Sequence, residues 1–361
     1  VLRLMPLGKK STSLAGVLDE LTAEAAPELT EHLANNDLRC YACGHRCLIR
    51  EGKRGICKVR FNEAGRLLVP TNYVAALACD PTEKKPFFHA LPGSDTLTFG
   101  MLGCDLHCGY CQNWLTSQAL RDDAAGTEPQ VVSAERLVAL AKAYGASMVG
   151  SSYNEPLITA EWALDVFKRA KPAGFKTAFI SNGNATPQVL DYLRPWTDCY
   201  KIDLKSMSDR NYRQLGGVVD NILDTVRMVK ERGFWTEIVT LLIPGFNDAE
   251  DEIKRAADFI AGVSPDIPWH VTAFHQDYRM QENANTTADQ LVRACETGRA
   301  AGLRFVYAGN LPGRVGRYEN TYCPACDELL IERYGYIIKR MKVTPDGRCP
   351  ACAEAIPGVW A

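Results

Sequence analysis

The sequence of 361 residues lacks several features that define other classes of protein. It has no run of eighteen or more uncharged apolar residues, so we expect no transmembrane helix. It has no excess of either charge, because 41 lysines and arginines stand against 43 aspartates and glutamates. That balance requires neither a membrane nor a nucleic acid as partner, although a local basic patch is compatible with nucleic-acid binding.

Fourteen cysteines are the most informative feature that is present. Disulfide frameworks belong to small secreted domains, whereas two-residue gaps between cysteines favour thiolates that converge on metal. Residues 1–10 lack the charged-then-apolar order of a signal peptide, and a chain that starts with Val1 is expected to miss a few residues. We therefore expect metal sites and a reducing, cytoplasmic location.

Eleven of the cysteines fall into three groups, while Cys79, Cys199 and Cys295 stand alone. The groups are Cys40, Cys43, Cys47 and Cys57; Cys104, Cys108 and Cys111; and Cys323, Cys326, Cys349 and Cys352.

Residues 97–310 alternate short apolar runs with amphipathic stretches, which predicts βα units and a parallel sheet. The predicted strands cover 97–103, 147–153, 176–181, 200–204, 236–243, 270–274 and 304–307. The predicted helices cover 134–144, 160–170, 187–193, 221–232, 249–261 and 288–300. Polar residues cluster at the C-terminal ends of these strands, where barrel enzymes build their active sites. No glycine-rich dinucleotide fingerprint follows the first strand.

These patterns predict an α/β fold with three parts. Residues 1–95 form a small cysteine-rich N-terminal segment, with a helix near 14–24 and a strand pair at 59–61 and 67–70. Residues 96–310 form a partial (βα)6 TIM-type barrel that is open on one side, with a seventh strand as an alternative. Residues 311–361 form a C-terminal zinc-ribbon-like module, with a hairpin of strands 329–331 and 336–341.

The central motif is Cys-x3-Cys-x2-Cys, formed by Cys104, Cys108 and Cys111 directly after the first barrel strand. Three thiolates on one loop can bind three irons of a [4Fe–4S] cluster, and the loop has no fourth cysteine to close the site. The open iron can then bind a substrate, as at other catalytic metal sites. The alternative is a zinc site of three cysteines completed by His107.

This motif resembles the hallmark of the radical S-adenosylmethionine (SAM) superfamily, in which an aromatic residue, here Tyr110, precedes the last cysteine. The resemblance implies that SAM chelates the open iron through its amino and carboxylate groups. It implies reductive cleavage of SAM to methionine and a 5′-deoxyadenosyl radical, followed by hydrogen abstraction from an unknown substrate. A one-electron donor of flavodoxin or ferredoxin type is then a required partner.

The resemblance assigns SAM contacts to further strand ends. Glu155 accepts from the SAM ammonium, although Tyr153-Asn154-Glu155 replaces the family's Gly-Gly-Glu. Ser181 and Asn182 contact the ribose. Asp203 and Lys205 match an Asp-x-Lys signature that faces the SAM carboxylate and ribose. Ile243 packs on adenine, and His275 is either a substrate-facing residue or a structural one. Taken singly, each of these motifs is also a common solvated turn or strand end.

The flanking cysteines predict further metal sites. Cys323, Cys326, Cys349 and Cys352 form two Cys-Pro-Ala-Cys knuckles, which are typical of a structural zinc ribbon, with a rubredoxin-type iron as the alternative. Cys40, Cys43, Cys47 and Cys57 suit either zinc or a second iron–sulfur cluster, and His45 is a further candidate ligand.

Nearly the whole chain resembles the AmmeMemoRadiSam system radical SAM enzymes, which are relatives of the pyruvate formate-lyase activating enzyme. The matching segments include 52–55, 112–114, 153–156, 307–313, 319–321 and 357–360. Three functions stay open. One is hydrogen abstraction from a small molecule or RNA, for which Arg314 and Arg317 begin a basic rim. Another is activation of a glycyl-radical enzyme, whose substrate is a glycine of a partner protein. A third, of another class, is a zinc-rich binding scaffold without catalysis.

Overall fold

The computed structural model describes residues 13–361, so the expectation drawn from residues 1–10 lies outside it. The strands in chain order are β1 (Thr22–Glu24), β2 (Thr30–His32), β3 (Leu38–Cys40), β4 (Leu48–Ile49), β5 (Phe61–Glu63), β6 (Arg66–Pro70), β7 (Tyr73–Val74), β8 (Ala76–Pro81), β9 (Asp95–Gly100), β10 (Gln130–Val131), β11 (Met148–Ser151), β12 (Lys176–Ser181), β13 (Cys199–Asp203), β14 (Trp235–Leu242), β15 (Trp269–Ala273), β16 (Val306–Gly309), β17 (Thr321–Tyr322), β18 (Leu329–Tyr334) and β19 (Ile337–Met341). The α-helices are α1 (Leu14–Asp19), α2 (Trp114–Ser117), α3 (Ala134–Ala143), α4 (Ala160–Ala170), α5 (Pro187–Leu193), α6 (Asp209–Leu215), α7 (Val219–Glu231), α8 (Glu250–Val263) and α9 (Ala288–Ala300).

The central sheet has eight strands in the order β16-β15-β14-β13-β12-β11-β9-β8. Seven of these strands, β9 and β11 to β16, run parallel to one another. The eighth, β8, joins β9 antiparallel at one edge. Each parallel neighbour follows a crossover that contains helices, so the predicted (βα) barrel units are confirmed and a seventh parallel strand completes them. The sheet edges β8 and β16 do not pair with each other, which leaves the barrel open.

The helices bury their apolar faces against this sheet, and one core cluster runs through the whole barrel. Local signals set their ends. Ser133 accepts a hydrogen bond from the Arg136 amide at the start of α3, and Thr287 with Gln290 forms a capping box at the start of α9. The longest described helix, α8, has fourteen residues, and none of the described helices has the length and apolar character needed to cross a bilayer.

The flanking segments follow the predictions less closely. Instead of one helix over 14–24, α1 ends at Asp19 and the chain turns into β1, which pairs with β6. The strand pair predicted at 59–61 and 67–70 corresponds to β5 and β6, but β5 begins two residues later than predicted, and Glu63 pairs with Arg66 across the two-residue turn Ala64-Gly65. The C-terminal hairpin is β18 and β19, and it packs with Phe305 and Tyr307 of the barrel in a second core cluster. The domain boundaries at 95/96 and 310/311 stay predictions.

Candidate active site

The cysteine loop, residues 103–111, follows β9 and is held by contacts from distant segments. The His107 amide donates to the Leu215 carbonyl at 2.9 Å, and the Gly109 carbonyl accepts from the Arg279 amide at 2.9 Å. Gly103 starts the loop at φ +94°, and a Cβ there would lie 2.9 Å from Val59 Cγ1. Glycine is therefore required at the first turn of the loop by both conformation and space.

The loop cysteines do not form a compact set of ligand atoms like that of the C-terminal cysteines. Among residues 13–361, only the four C-terminal cysteines bring three or more ligand atoms within 4.8 Å of one another. Four thiolates about 2.3 Å from a zinc ion must lie closer together than that. His107 is exposed, and its ring packs against the backbone of Gly216. The loop cysteines and His107 therefore do not form the compact ligand set that the zinc alternative requires.

The surroundings of the sulfurs favour bound metal. Burial raises the pKa of the Cys108 thiol to about 11, and burial together with Asp105 raises the pKa of Cys104 well above its usual value. Burial also raises the pKa of Cys111, whose Sγ lies 3.2 Å from Ser117 Oγ. Burial therefore favours the neutral thiols, and a bound metal cation would be needed to hold the three sulfurs as thiolates.

A cavity of about 410 Å³ opens onto the loop at the C-terminal ends of the strands. That size suits a cofactor or a small substrate. The predicted site residues that line it are Cys104, Cys108, Tyr110, Cys111, Asn154, Glu155, Ser181, Asn182, Asp203 and Lys205. Residues that are far apart in sequence are thus brought to one wall, as a barrel fold requires.

Glu155 is buried at the inner end of the cavity and accepts three hydrogen bonds. The donors are Ser181 Oγ at 2.8 Å, the Asn182 amide at 2.7 Å and the Leu157 amide at 3.0 Å. Burial, and after it Asp105, raises the pKa of Glu155. The carboxyl group therefore ties the end of β11 to the end of β12, in addition to facing the cavity.

Asn182 has a second structural contact. Its Nδ2 donates to Asp105 Oδ1 at 2.7 Å, and Asn184 Nδ2 donates to Asp105 Oδ2 at 2.8 Å. Asp105 is fully buried next to Cys104. The two asparagines thus fix the cysteine loop against the end of β12.

Lys201, Asp203 and Lys205 form a charged row on one side of β13 and its extension. Asp203 pairs with Lys201 and lies 3.4 Å from Lys205 Nζ. Burial acts to raise the pKa of Asp203, but the two cations outweigh it and the pKa is lowered. The charged carboxylate in turn raises the pKa of Lys205 against the effect of burial. This row presents a fixed cation, held by Asp203, to the cavity.

Two predicted site residues do not line the cavity. Ile243, which directly follows β14, is fully buried behind the cysteine loop with Leu106 and Tyr110, and Leu241 of β14 lines the cavity instead. His275 is exposed and its Nε2 lies 2.9 Å from Gln112 Nε2. Strand alternation places Val239 and Leu241 on the cavity side, but it no longer applies to Ile243, because the strand ends at Leu242.

Several cavity residues were missed by sequence reasoning. The sequence does indicate Lys201, because it precedes Asp203 by two residues and residues two apart on a strand share a face. The others come from segments whose position the sequence pattern does not reveal. They include Glu83, Lys84 and Lys85 from the segment after β8, His270 from β15, and Asn310 and Tyr336 from beyond the barrel.

The C-terminal cysteines form a compact set. Cys323 Sγ lies 3.5 Å from Cys352 Sγ, and Cys326 Sγ lies 3.7 Å from Cys349 Sγ. The structure thus brings together four ligands that can hold one metal ion.

The N-terminal cysteines lie beside the cysteine loop. Cys40, Cys43 and Cys57 are buried, and Cys47 is half-buried. None of the fourteen cysteines, all within the described residues, forms a disulfide.

Comparisons with known proteins agree with this geometry. Residues 99–260 match the model of the Radical SAM superfamily. The chain is 34% identical over 329 residues to the uncharacterized protein MJ0808 of Methanocaldococcus jannaschii, which covers 90% of this chain and 97% of that protein. It is 26% identical over 202 residues to the pyruvate formate-lyase 1-activating enzyme of Escherichia coli, covering 53% of this chain and 80% of that enzyme.

Among solved structures, a domain of a pyruvate-formate lyase-activating enzyme from Bacteroides vulgatus is similar at 25% identity and a TM-score of 0.40. The match covers 45% of this chain and 98% of that domain. The matched family model and the curated relatives from Methanocaldococcus jannaschii and Escherichia coli show that the chain belongs to the radical SAM superfamily and resembles the pyruvate formate-lyase activating enzymes.

Proposed function

We propose that Cys104, Cys108 and Cys111 hold a [4Fe–4S] cluster, and that the adjoining cavity binds SAM and a substrate from which hydrogen is abstracted. The observation that carries this proposal is the opening of all three cysteines onto the one cavity that also contains the Asp203–Lys205 pair. When bound, the cluster and SAM supply the chemistry, which is one-electron cleavage of the sulfonium to methionine and a 5′-deoxyadenosyl radical.

The protein's own residues would position and protect these groups. Lys205 is the cation suited to the SAM carboxylate, and Asp203 orients it through Oδ2 while Lys201 binds the other oxygen of Asp203. Asn154 Oδ1 accepts from the Met101 amide at 3.1 Å and so braces the strand end that precedes the cysteine loop. Tyr110 is buried and packs against Phe246, which excludes water from behind Cys108.

The substrate side of the cavity is formed by residues outside the predicted barrel. Lys85 Nζ donates to Asp80 Oδ2 at 2.9 Å and to the Tyr153 hydroxyl at 3.0 Å, and Tyr336 comes from the C-terminal hairpin. The Tyr336 hydroxyl donates to Asn310 Oδ1 at 3.2 Å, which fixes this part of the wall. A wall of this kind favours a small polar substrate.

The second candidate is activation of a glycyl-radical enzyme through a glycine of a partner protein. It is favoured by the relatives named as pyruvate formate-lyase and isethionate sulfite-lyase activating enzymes. Either function needs a one-electron donor of flavodoxin or ferredoxin type. We further propose zinc as the metal of the compact C-terminal set, which leaves no open coordination position, and the cytoplasm as the location, since all the cysteines are free thiols.

The test is SAM cleavage by the anaerobically reconstituted protein with dithionite. We expect Cys108→Ala to reduce 5′-deoxyadenosine production to background, since one of the three iron ligands is lost. Cys79→Ala is the matched control, because Cys79 lies on β8 and does not line the cavity. Undiminished 5′-deoxyadenosine production by Cys108→Ala would refute the assignment, and a zinc scaffold without catalysis would contain no cluster in either protein.

A further inference from the structure

The N-terminal cysteines are gathered by the folding of a short segment onto itself. The segment from Cys40 to Cys57 connects β3 to the turn before β5. The Cys40 amide donates to the Cys47 carbonyl at 3.0 Å, and a Cβ placed on Gly55 would lie 3.7 Å from Cys47 Sγ. Both ends of the segment therefore return to Cys47, and three of the four thiols are shielded from solvent.

The spacing of these sulfurs differs from that of a single-ion site. A tetrahedral zinc ion with four thiolates at about 2.3 Å needs sulfur atoms about 4 Å apart. Within the part of the chain that the structure describes, only the C-terminal set meets a 4.8 Å limit for three or more ligand atoms. Neither the N-terminal set nor the cysteine loop, where a cubane is proposed, meets that limit. Four thiolates are also the complete ligand set of a [4Fe–4S] cluster.

A buried donor without a partner supports an anionic occupant. Arg60 follows Cys57 by three residues and is 1% exposed. Its Nη1 and Nη2 donate to Glu161 at 2.7 and 2.8 Å, but its buried Nε has no hydrogen-bond partner. Buried N–H groups in native proteins are nearly always satisfied. A thiolate or a sulfide of a cluster is an acceptor of the required kind.

The N-terminal set is joined directly to the cysteine loop. The Arg121 guanidinium donates to the Ile56 carbonyl at 2.6 Å and to the Cys104 carbonyl at 2.7 Å. One side chain therefore links the neighbour of Cys57 in the N-terminal set to Cys104 in the cysteine loop. A Cβ on Gly103 would lie 3.2 Å from the Cys57 carbonyl oxygen. On the other side, His45 Nε2 lies 3.8 Å from Asp105 Oδ2. The backbones that carry the two sets are thus in van der Waals contact.

From this arrangement we propose that Cys40, Cys43, Cys47 and Cys57 bind a second [4Fe–4S] cluster, which relays single electrons to the cluster of the cysteine loop. Four protein thiolates leave no iron open, so this cluster does not bind SAM. A flavodoxin- or ferredoxin-type donor gives it one electron and takes it from the 2+ to the 1+ state. It returns to 2+ by passing that electron to the loop cluster, and no bond is made or broken in the transfer. The proposal that a second cluster binds here does not depend on the proposed function, whereas its role as a relay rests on that function.

The first experiment measures metal in the full chain after anaerobic reconstitution. We expect about eight irons per chain in the wild type, and about four in Cys43→Ala and in the triple variant Cys104→Ala/Cys108→Ala/Cys111→Ala. Cys79→Ala is the control and should keep the wild-type content. If the triple variant loses no iron, the proposed function fails while the N-terminal cluster stands. If Cys43→Ala loses no iron, the second cluster is refuted.

A measurement on the wild type does not depend on whether a variant folds. Anomalous diffraction at the iron and zinc edges should show iron at the N-terminal set, and zinc there would overturn the proposal. The relay is tested by comparing reduction by dithionite with reduction by flavodoxin. In Cys43→Ala we expect flavodoxin-driven SAM cleavage to fall at least about tenfold more than dithionite-driven cleavage. Equal losses with both reductants would refute the relay.

Discussion

The C-terminal cysteines and those of the cysteine loop are the same type of residue, but the fold holds the two sets in place differently. The C-terminal set is compact, and two of its members, Cys326 and Cys352, are exposed. Two local knuckles shape it, since the Cys323 amide donates to Glu328 O and the Cys349 amide donates to Glu354 O, each at 2.9 Å. The cysteine loop, in contrast, is held by backbone hydrogen bonds to Leu215, Arg279 and other residues that are distant in sequence. The proposed structural metal site is thus built locally, whereas the proposed site for chemistry is assembled by the whole barrel.

The largest effect that would sharpen this comparison is removal of the C-terminal metal. Cys326→Ala/Cys352→Ala deletes two exposed ligands, so it costs little packing but forfeits metal-binding free energy on the order of 10 kcal/mol. We expect zinc to fall to near zero and hydrogen exchange to rise in β18 and β19, with the iron content unchanged. Metal analysis and exchange mass spectrometry measure both quantities. Loss of iron together with zinc would show that the two sites are not independent.

A smaller effect tests how tightly the barrel constrains the cysteine loop. Gly103→Ala forces a left-handed φ of +94° on alanine and places its Cβ 2.9 Å from Val59, so we expect a loss of about 3 kcal/mol in the free energy of unfolding. Gly126→Ala is the control, since nothing lies within 4 Å of its Cβ position and its φ is not positive, and it should change stability by less than about 0.5 kcal/mol. Denaturant unfolding measures both. If the two variants had equal free energies of unfolding, the cysteine loop would tolerate the displacement that a Cβ at position 103 requires.

The smallest effect concerns His89, which joins the C-terminal tail to the barrel. Its ring nitrogens lie 2.7 Å from the Pro357 carbonyl oxygen and 2.6 Å from the Tyr307 hydroxyl. Burial lowers its pKa to about 4, so between pH 6.5 and 4 the unfolded chain binds a proton that the folded chain does not. Stability from this group is therefore complete above about pH 6.5 and is lost as the pH falls, by about 1 kcal/mol between pH 7 and 5.5.

The measurement for His89 is the unfolding free energy of wild type and His89→Asn over that pH range. The variant should be less stable at pH 7 but should lose less on acidification. His32→Asn, at an exposed position, controls for the general effect of removing a histidine. A pH slope that is identical in wild type and His89→Asn would contradict the expectation.

Much of the fold was predictable because its signals are local. All seven predicted parallel strands are present, and the helices at Ala160–Ala170, Pro187–Leu193 and Ala288–Ala300 have the predicted bounds. Helical periodicity, cap residues and glycine stops act within a few residues of each other. The expectation of a helix over 14–24 was wrong in its second half, because β1 gains a partner in β6, which lies more than forty residues further along the chain. The antiparallel edge strand β8 was missed for the same reason, since its partner β9 decides its conformation.

The sequence by itself determined which residues are candidates for the chemistry: Cys104, Cys108 and Cys111 by their spacing, and Asp203 and Lys205 by their place at a strand end. Such sets are short-range, because a few residues of chain keep the three cysteines near one another and residues two apart on a strand share one face. Only the tertiary structure decided that Ile243 turns away from the cavity, that Tyr336 reaches it, and that Cys57 touches the start of the cysteine loop. Those outcomes depend on how separate elements pack, and packing is a property of the whole chain rather than of any segment.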